Sequence, residues 1–244
     1  MLAPAVRNES RLPADHPCSD CEARSAAVCG VLECKKLAAL RRLGTQFRLA
    51  AGQPLFHEGD PATRVFTLTR GSLKLYKLLP DGRRQVTGFM QPGDFLGISV
   101  DDEHAFSAEA LEPSQLCAFP RSRFDDFAED NGEMERELYR LAVHELAAAQ
   151  QQMVLLGRKT AAERLASFFI ALAERLERDS EEQARFVSLP MSRSDIADYL
   201  GLTKETISRV LSQFKSRRVI RLDAIDRIEI LDRKALEELA AGEA

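Results

Sequence analysis

The strongest constraint on this chain is a twenty-residue window starting at Arg193, whose fifth, ninth and fifteenth places hold Ala197, Gly201 and Ile207. Two helices that cross tightly need a small residue where they touch, a turn residue free to take positive φ, and an apolar residue that locks the second helix onto the first. Ser192 and Asp195 form a capping box with Asp in the place of Glu, which predicts a helix running to about Leu200; Thr203 can cap the next. The second helix then shows Lys204, Glu205, Ser208 and Arg209 on its open face and turns Ile207, Val210, Leu211 and Phe214 inward. Two short strands, Val219 to Leu222 and Arg227 to Leu231, would form a wing around the turn Asp223 to Asp226.

The charge of this region points to double-stranded DNA. The whole chain of 244 residues has a net charge of -4, yet from Met191 to Arg221 seven basic residues face three acidic ones. Arg209 can donate a fork to guanine O6 and N7, Glu205 can accept from cytosine N4, and Ser208 suits a shorter contact. Lys204, Lys215, Arg217 and Arg218 are expected at phosphates or flanking positions, which orient a protein without specifying sequence.

Upstream the texture differs. From Phe47 to Pro120, short Val, Phe, Leu and Tyr runs are divided by turn signals such as Glu58-Gly59-Asp60, Pro80-Asp81-Gly82 and Pro92-Gly93-Asp94, the pattern of hairpins closing into a roll. In Gly71 to Tyr76, Ser72 and Lys74 alternate with Leu73 and Leu75, which implies one polar and one apolar face. After Asn131-Gly132, Tyr139, Ala142, Leu146, Ala149, Met153 and Leu156 recur at steps of three and four, a seam suited to pairing with a second copy as a homodimer. Gly157 interrupts that seam, and a further helix is expected from about Thr160 to Arg178, followed by an acidic loop around Ser180 to Ala184. The resulting division is a cysteine-containing segment 1–35, a roll 36–132, a pairing helix 133–157 and a winged helix-turn-helix 158–244. The fold class is α+β.

With 45% hydrophobic residues the chain can bury a core, and its apolar stretches, such as Leu165 to Leu172, are too short to span a membrane. Residues 1 to 17 carry charges and prolines where a secretory signal would be apolar, so they read as a loose tail on a cytoplasmic protein. Thiols stay reduced in that compartment, and Cys18, Cys21, Cys29 and Cys34 crowd into seventeen residues while Cys117 lies far off on a predicted strand. Such a set can hold zinc, hold an iron–sulfur cluster, or act as a thiol–disulfide switch, and spacing alone leaves all three open. The four histidines show no paired ligand spacing. An enzyme built on Cys18-x-x-Cys21 is disfavoured, because that motif follows a proline-rich tail and opens no βαβ unit.

A turn-punctuated roll, a long helix and a C-terminal winged helix-turn-helix, in that order, resemble the CRP/FNR family of bacterial transcription regulators, over His16 to Leu231. The string Gly201-Leu-Thr-Lys-Glu-Thr-Ile-Ser-Arg209 carries the Glu-x-x-Ser-Arg with which the FNR branch reads TTGAT-like half-sites, and Ala162-Glu-Arg-Leu165 is also similar to that branch. The resemblance implies a cyclic-nucleotide-binding-like roll, an oxygen-labile [4Fe-4S] cluster on Cys18, Cys21, Cys29 and Cys117, dimerisation, an inverted-repeat site, and contact with RNA polymerase. The Cys-x2-Cys-x7-Cys spacing looks like that of alphaproteobacterial FNR-type regulators, and leaves Cys34 as a small apolar residue on the first helix. Where the cyclic-AMP branch carries an Arg-Ser pair for the phosphate, this chain reads Asp102-Glu-His-Ala-Phe-Ser107, so no cyclic nucleotide is expected. The alternative on the same fold is a regulator that responds to thiol redox state or a small ligand without iron.

Overall fold

The computed structural model describes residues 16–99, 101–177, 184–224 and 226–243. Most of the expected tail, most of the acidic loop and residue 225 of the wing turn lie outside the described residues. Two 3-10 turns, Glu22–Ser25 and Val28–Val31, follow Cys21 and lead into helix α1 (Cys34–Leu43). Eight strands follow: β1 (Thr45–Leu49), β2 (Pro54–Phe56), β3 (Arg64–Arg70), β4 (Leu73–Leu78), β5 (Arg84–Met90), β6 (Phe95–Leu96), β7 (Ser107–Ala110) and β8 (Ser114–Pro120). They form two four-stranded sheets, ordered β1-β8-β3-β6 and β2-β7-β4-β5. The glycines at the turn signals take the left-handed backbone that these turns require, Gly59 at φ 84° and Gly82 at φ 85° among them.

Helices α2 (Arg121–Glu129), α3 (Gly132–Arg158) and α4 (Ala161–Glu177) follow, with Gly157 inside the last turn of α3. The C-terminal part contains β9 (Phe186–Ser188), α5 (Arg193–Leu200), α6 (Lys204–Ser216), β10 (Ile220–Ala224), β11 (Arg227–Ile230) and α7 (Arg233–Ala241). The wing is three-stranded, in the order β10-β11-β9. Strand β9 is too short to leave a clear alternation in the sequence. No helix among the described residues is long and apolar enough to cross a membrane.

The chain packs as two units. One holds the described residues through Leu73 together with Met90–Ala142; the other holds Lys74–Phe89 with Val143 onward. In the first, Val28 and Leu32 of the cysteine segment join Leu37 and Leu40 of α1, Val65 of β3, Phe119 of β8, Phe124 of α2 and Met134 of α3 in one buried cluster. Leu138 and Leu141 of α3 pack against the same cluster, as do Cys18, Cys29 and Cys117. In the second, Phe89, Phe168 and Tyr199 form an aromatic trio with ring centroids 5.2 to 5.9 Å apart.

One strand departs from the alternation expected of it. Ser72 and Lys74 are both buried. Ser72 Oγ donates to Glu112 Oε1 at 2.8 Å, and Lys74 Nζ donates to Asp195 Oδ1 at 3.0 Å. A polar face can be covered when a charged partner meets it, and that partner lies 121 positions along the chain from Lys74.

Candidate functional sites: a thiol-lined cavity and a DNA-reading helix

Cys18, Cys21, Cys29 and Cys117 line one small cavity, together with Arg24, Ala27, Leu37, Leu40, Arg41, Thr67, Thr69 and Phe119. Three thiols arrive on the looped segment 18–29 and the fourth on β8, opposite Thr67 of β3 in antiparallel register. The segment can lie close to the roll because Gly93 has no side chain: a Cβ there would stand 2.6 Å from that of Ala26, and its φ of 102° suits glycine alone. Cys34 is half-buried at the first turn of α1 and is not among the residues lining the cavity.

Burial and the neighbouring thiols push Cys29 up to about 12, and burial pushes Cys117 up to about 11. Cys18 is also raised, by burial and by Cys21, against the pull of Arg41 and Arg24. Burial thus disfavours the thiolate form of these three groups, which are not set up as nucleophiles. No three His, Cys, Asp or Glu side chains among the described residues are gathered as tightly as one metal ion requires.

Two polar atoms of this wall were not foreseen from the sequence. Arg41 Nε and Thr67 Oγ1 are buried and have no hydrogen-bond partner among the described residues, although Arg41 Nη1 donates to the Gly44 carbonyl at 3.0 Å. No local pattern marks them, since each matters only through what the fold brings near it.

The helix-turn-helix is built from short-range signals. Ser192 Oγ accepts from Asp195 N at 3.1 Å while Asp195 Oδ2 accepts from Ser192 N at 3.1 Å, the reciprocal capping box. Gly201 takes φ 62° at the turn, Ala197 and Ile207 are buried, and Thr203 Oγ1 caps α6 by accepting from Thr206 N at 3.2 Å. Ile207, Val210, Leu211 and Phe214 face inward. Lys204, Glu205 and Arg209 are exposed, Ser208 is half-exposed, and Lys215, Arg217 and Arg218 are exposed at the far end of α6. Glu205 and Arg209 make no hydrogen bond or ion pair among the described residues, so both side chains are available to base edges.

This module is braced by residues that sequence reasoning assigned no such role. Arg164 of the Ala-Glu-Arg-Leu string donates to the carbonyls of Leu156, Lys159 and Leu200 at 2.8 to 2.9 Å, joining the end of α3 to α5. Arg84 reaches both Asp195 and Asp198 at 2.7 Å, and Gln85 Nε2 donates to the Asp198 carbonyl at 2.7 Å. Burial alone would raise the Asp195 carboxyl, but Ser192, Lys74 and Arg84 hold it below the ordinary carboxylate range. Along α3, Tyr139, Ala142, Leu146, Ala149 and Met153 are exposed, Tyr139 by 74% and Met153 by 71%, whereas Leu156 is half-buried beside Gly201.

Comparison with known proteins agrees with this architecture. A cyclic nucleotide-binding domain model matches residues 46–131, and a Crp-like helix-turn-helix domain model matches 163–239. The chain is 42% identical to the nitrogen fixation regulation protein FixK of Bradyrhizobium diazoefficiens, over 94% of this chain and 96% of that protein. The chain belongs to the Crp/Fnr family of transcriptional regulators. It is also 35% identical to the transcriptional activator protein anr of Pseudomonas aeruginosa, over 95% of each chain. The solved structure of FixK2 from Bradyrhizobium japonicum superposes with a TM-score of 0.74 at 36% identity, covering 80% of this chain and 96% of that one. As a family member the chain is a DNA-binding regulator and not an enzyme.

Proposed function

We propose that this regulator is a cytoplasmic, oxygen-responsive transcriptional activator in which Cys18, Cys21, Cys29 and Cys117 hold a [4Fe-4S] cluster. The observation that carries the reading is the convergence of four thiols, from a looped segment and a distant strand, on one cavity. The cavity suits such a group in three further ways. Its walls include apolar Ala27, Leu37, Leu40 and Phe119, Arg24 and Arg41 oppose negative charge on Cys18 and Arg41 that on Cys117, and buried donors on Arg41 and Thr67 have no partner among the described residues. When bound, such a cluster would supply an oxygen-labile tie between the segment and the roll through these four thiolates.

The chain's own residues give that tie a consequence. Val28 and Leu32 share one apolar cluster with Met134, and Leu138 and Leu141 of α3 pack against it, while Tyr139 and Ala142 leave the same helix turns on the exposed side. Holding the cysteine segment in place therefore holds the start of α3, and with it the seam from Tyr139 to Met153 through which two copies pair. Two-fold pairing sets the recognition helices about 34 Å apart on an inverted repeat of TTGAT-like half-sites, read by Glu205, Ser208 and Arg209. The bound dimer then contacts RNA polymerase. Residues 102–107 offer acids rather than an Arg-Ser pair, so no cyclic nucleotide enters the scheme.

The test is iron and acid-labile sulfide per chain, with absorption spectra and DNA binding, on protein purified without oxygen and then exposed to air. About four irons that bleach in air, with loss of specific DNA binding, is the expected result. Zinc in their place, or thiols that oxidise without iron, would overturn the cluster and move the signal to another chemistry on the same fold.

A further inference from the structure

A buried hydroxyl or guanidinium nitrogen without a partner loses its solvation and gains nothing in return, so a folded chain rarely keeps one unless something else satisfies it. Among the described residues, Arg41 Nε and Thr67 Oγ1 are two such atoms, and both belong to the wall of the thiol cavity. A third buried atom, Glu229 Oε2, lies within ion-pair distance of Arg221 and so is compensated in a way these two are not. Thr67 faces Cys117 across the β3–β8 ladder, which sets their side chains on the same face of the sheet at about 5 Å between Cβ atoms. Arg41 opposes the charge of both Cys18 and Cys117. Thr69, two residues along the same strand and lining the same cavity, differs: its hydroxyl already donates to the Gln115 carbonyl at 2.9 Å.

We infer that Arg41 and Thr67 are donors built into the cavity wall to hydrogen-bond the sulfur of the group held by the four thiols, and that they set how readily that group is oxidised. This rests on the iron–sulfur reading and deepens it. A donor aimed at a thiolate or sulfide sulfur withdraws electron density and favours the reduced state, one of the ways a protein tunes such a centre. The positive charge of Arg41 acts in the same sense, since oxidation lessens the negative charge that it stabilises.

The test compares Thr67→Val, Arg41→Met and Thr69→Val with the unsubstituted chain, each with and without iron and sulfide. Thr67→Val removes an orphaned hydroxyl from the iron-free chain, so its melting temperature should stay level or rise. In the loaded chain the same change removes a used donor, so the melting temperature should fall. Thr69→Val breaks a bond present in both forms and should lower both. Loaded Thr67→Val and Arg41→Met should keep full iron, show a lower reduction potential, and bleach in air roughly tenfold faster. Arg41→Met also loses the bond to the Gly44 carbonyl, so it is read by potential and bleaching rather than by melting. If the unsubstituted chain takes up no iron and sulfide, the reading and this inference fall together. If it loads normally while both variants bleach at its rate with unchanged potential, or Thr67→Val shifts both forms alike, only the role of these donors is overturned.

Discussion

Asp195 and Thr67 are both polar side chains in the interior, and they stand in opposite situations. Asp195 meets Ser192, Lys74 and Arg84 at hydrogen-bonding distance, all supplied by its own chain. The Thr67 hydroxyl has no hydrogen-bond partner among the described residues, and the wall it belongs to carries four thiols and a second unpartnered donor. One region has completed its polar contacts by folding; the other leaves two donors unpartnered among the described residues. The contrast separates a part of the molecule whose polar contacts are closed within the fold from a part where they are left open.

The largest effect should come from breaking the thiol set. Cys117→Ser is expected to lose nearly all iron while its far-ultraviolet circular dichroism stays that of the folded chain, and Cys34→Ser, outside the cavity, should keep its iron. Iron retained by Cys117→Ser, or lost from Cys34→Ser, would redraw the ligand set.

Next is the completed region. Asp195→Ala removes the carboxylate to which Lys74, with a side chain only 7% exposed, donates, and truncating one member of a buried charged network costs about 3–5 kcal/mol. Urea unfolding should show this as a lower midpoint. The same group gives a sign for pH dependence. Its folded pKa is depressed, so its contribution is fully present above the ordinary Asp value of about 3.9 and is lost as pH falls through the lowered folded value. The stability gap between the unsubstituted chain and Asp195→Asn should therefore narrow in acid and stay constant near neutrality; a gap that widens in acid would contradict the assigned direction.

A smaller effect tests the reading surface that the completed region supports. Arg209→Ala should cost about 1–3 kcal/mol in specific binding and relax preference at one base pair. Lys215→Ala should weaken binding to all sequences alike and lower the salt slope by about 1. Equal losses for Arg209→Ala on specific and scrambled DNA would move Arg209 from base reading to the phosphates.

How much of this was legible beforehand depended on the range of the interaction. The caps at Ser192 and Thr203, the positive φ of Gly201 and the inward row from Ile207 to Phe214 each depend on residues within a few positions, so their pattern in the chain was enough. The turn glycines of the roll were readable for the same reason. Strand β9 and helix α7 passed unnoticed, the first because three residues carry no clear period. The alternation around Lys74 marks a polar and an apolar face but cannot say what covers each of them.

The sequence by itself determined the order of roll, long helix and helix-turn-helix, the caps and turns, and the residue types available for DNA and for metal. Only the tertiary structure decided that Cys29 and Cys117 share a cavity from which Cys34 is absent, that Lys74 is buried against Asp195, and that the cavity wall includes Arg41 and Thr67, each with a buried polar atom unpartnered among the described residues. Local conformation follows from neighbouring residues. The surroundings of a buried polar group depend on segments separated by tens of positions, and no pattern within either segment records the meeting.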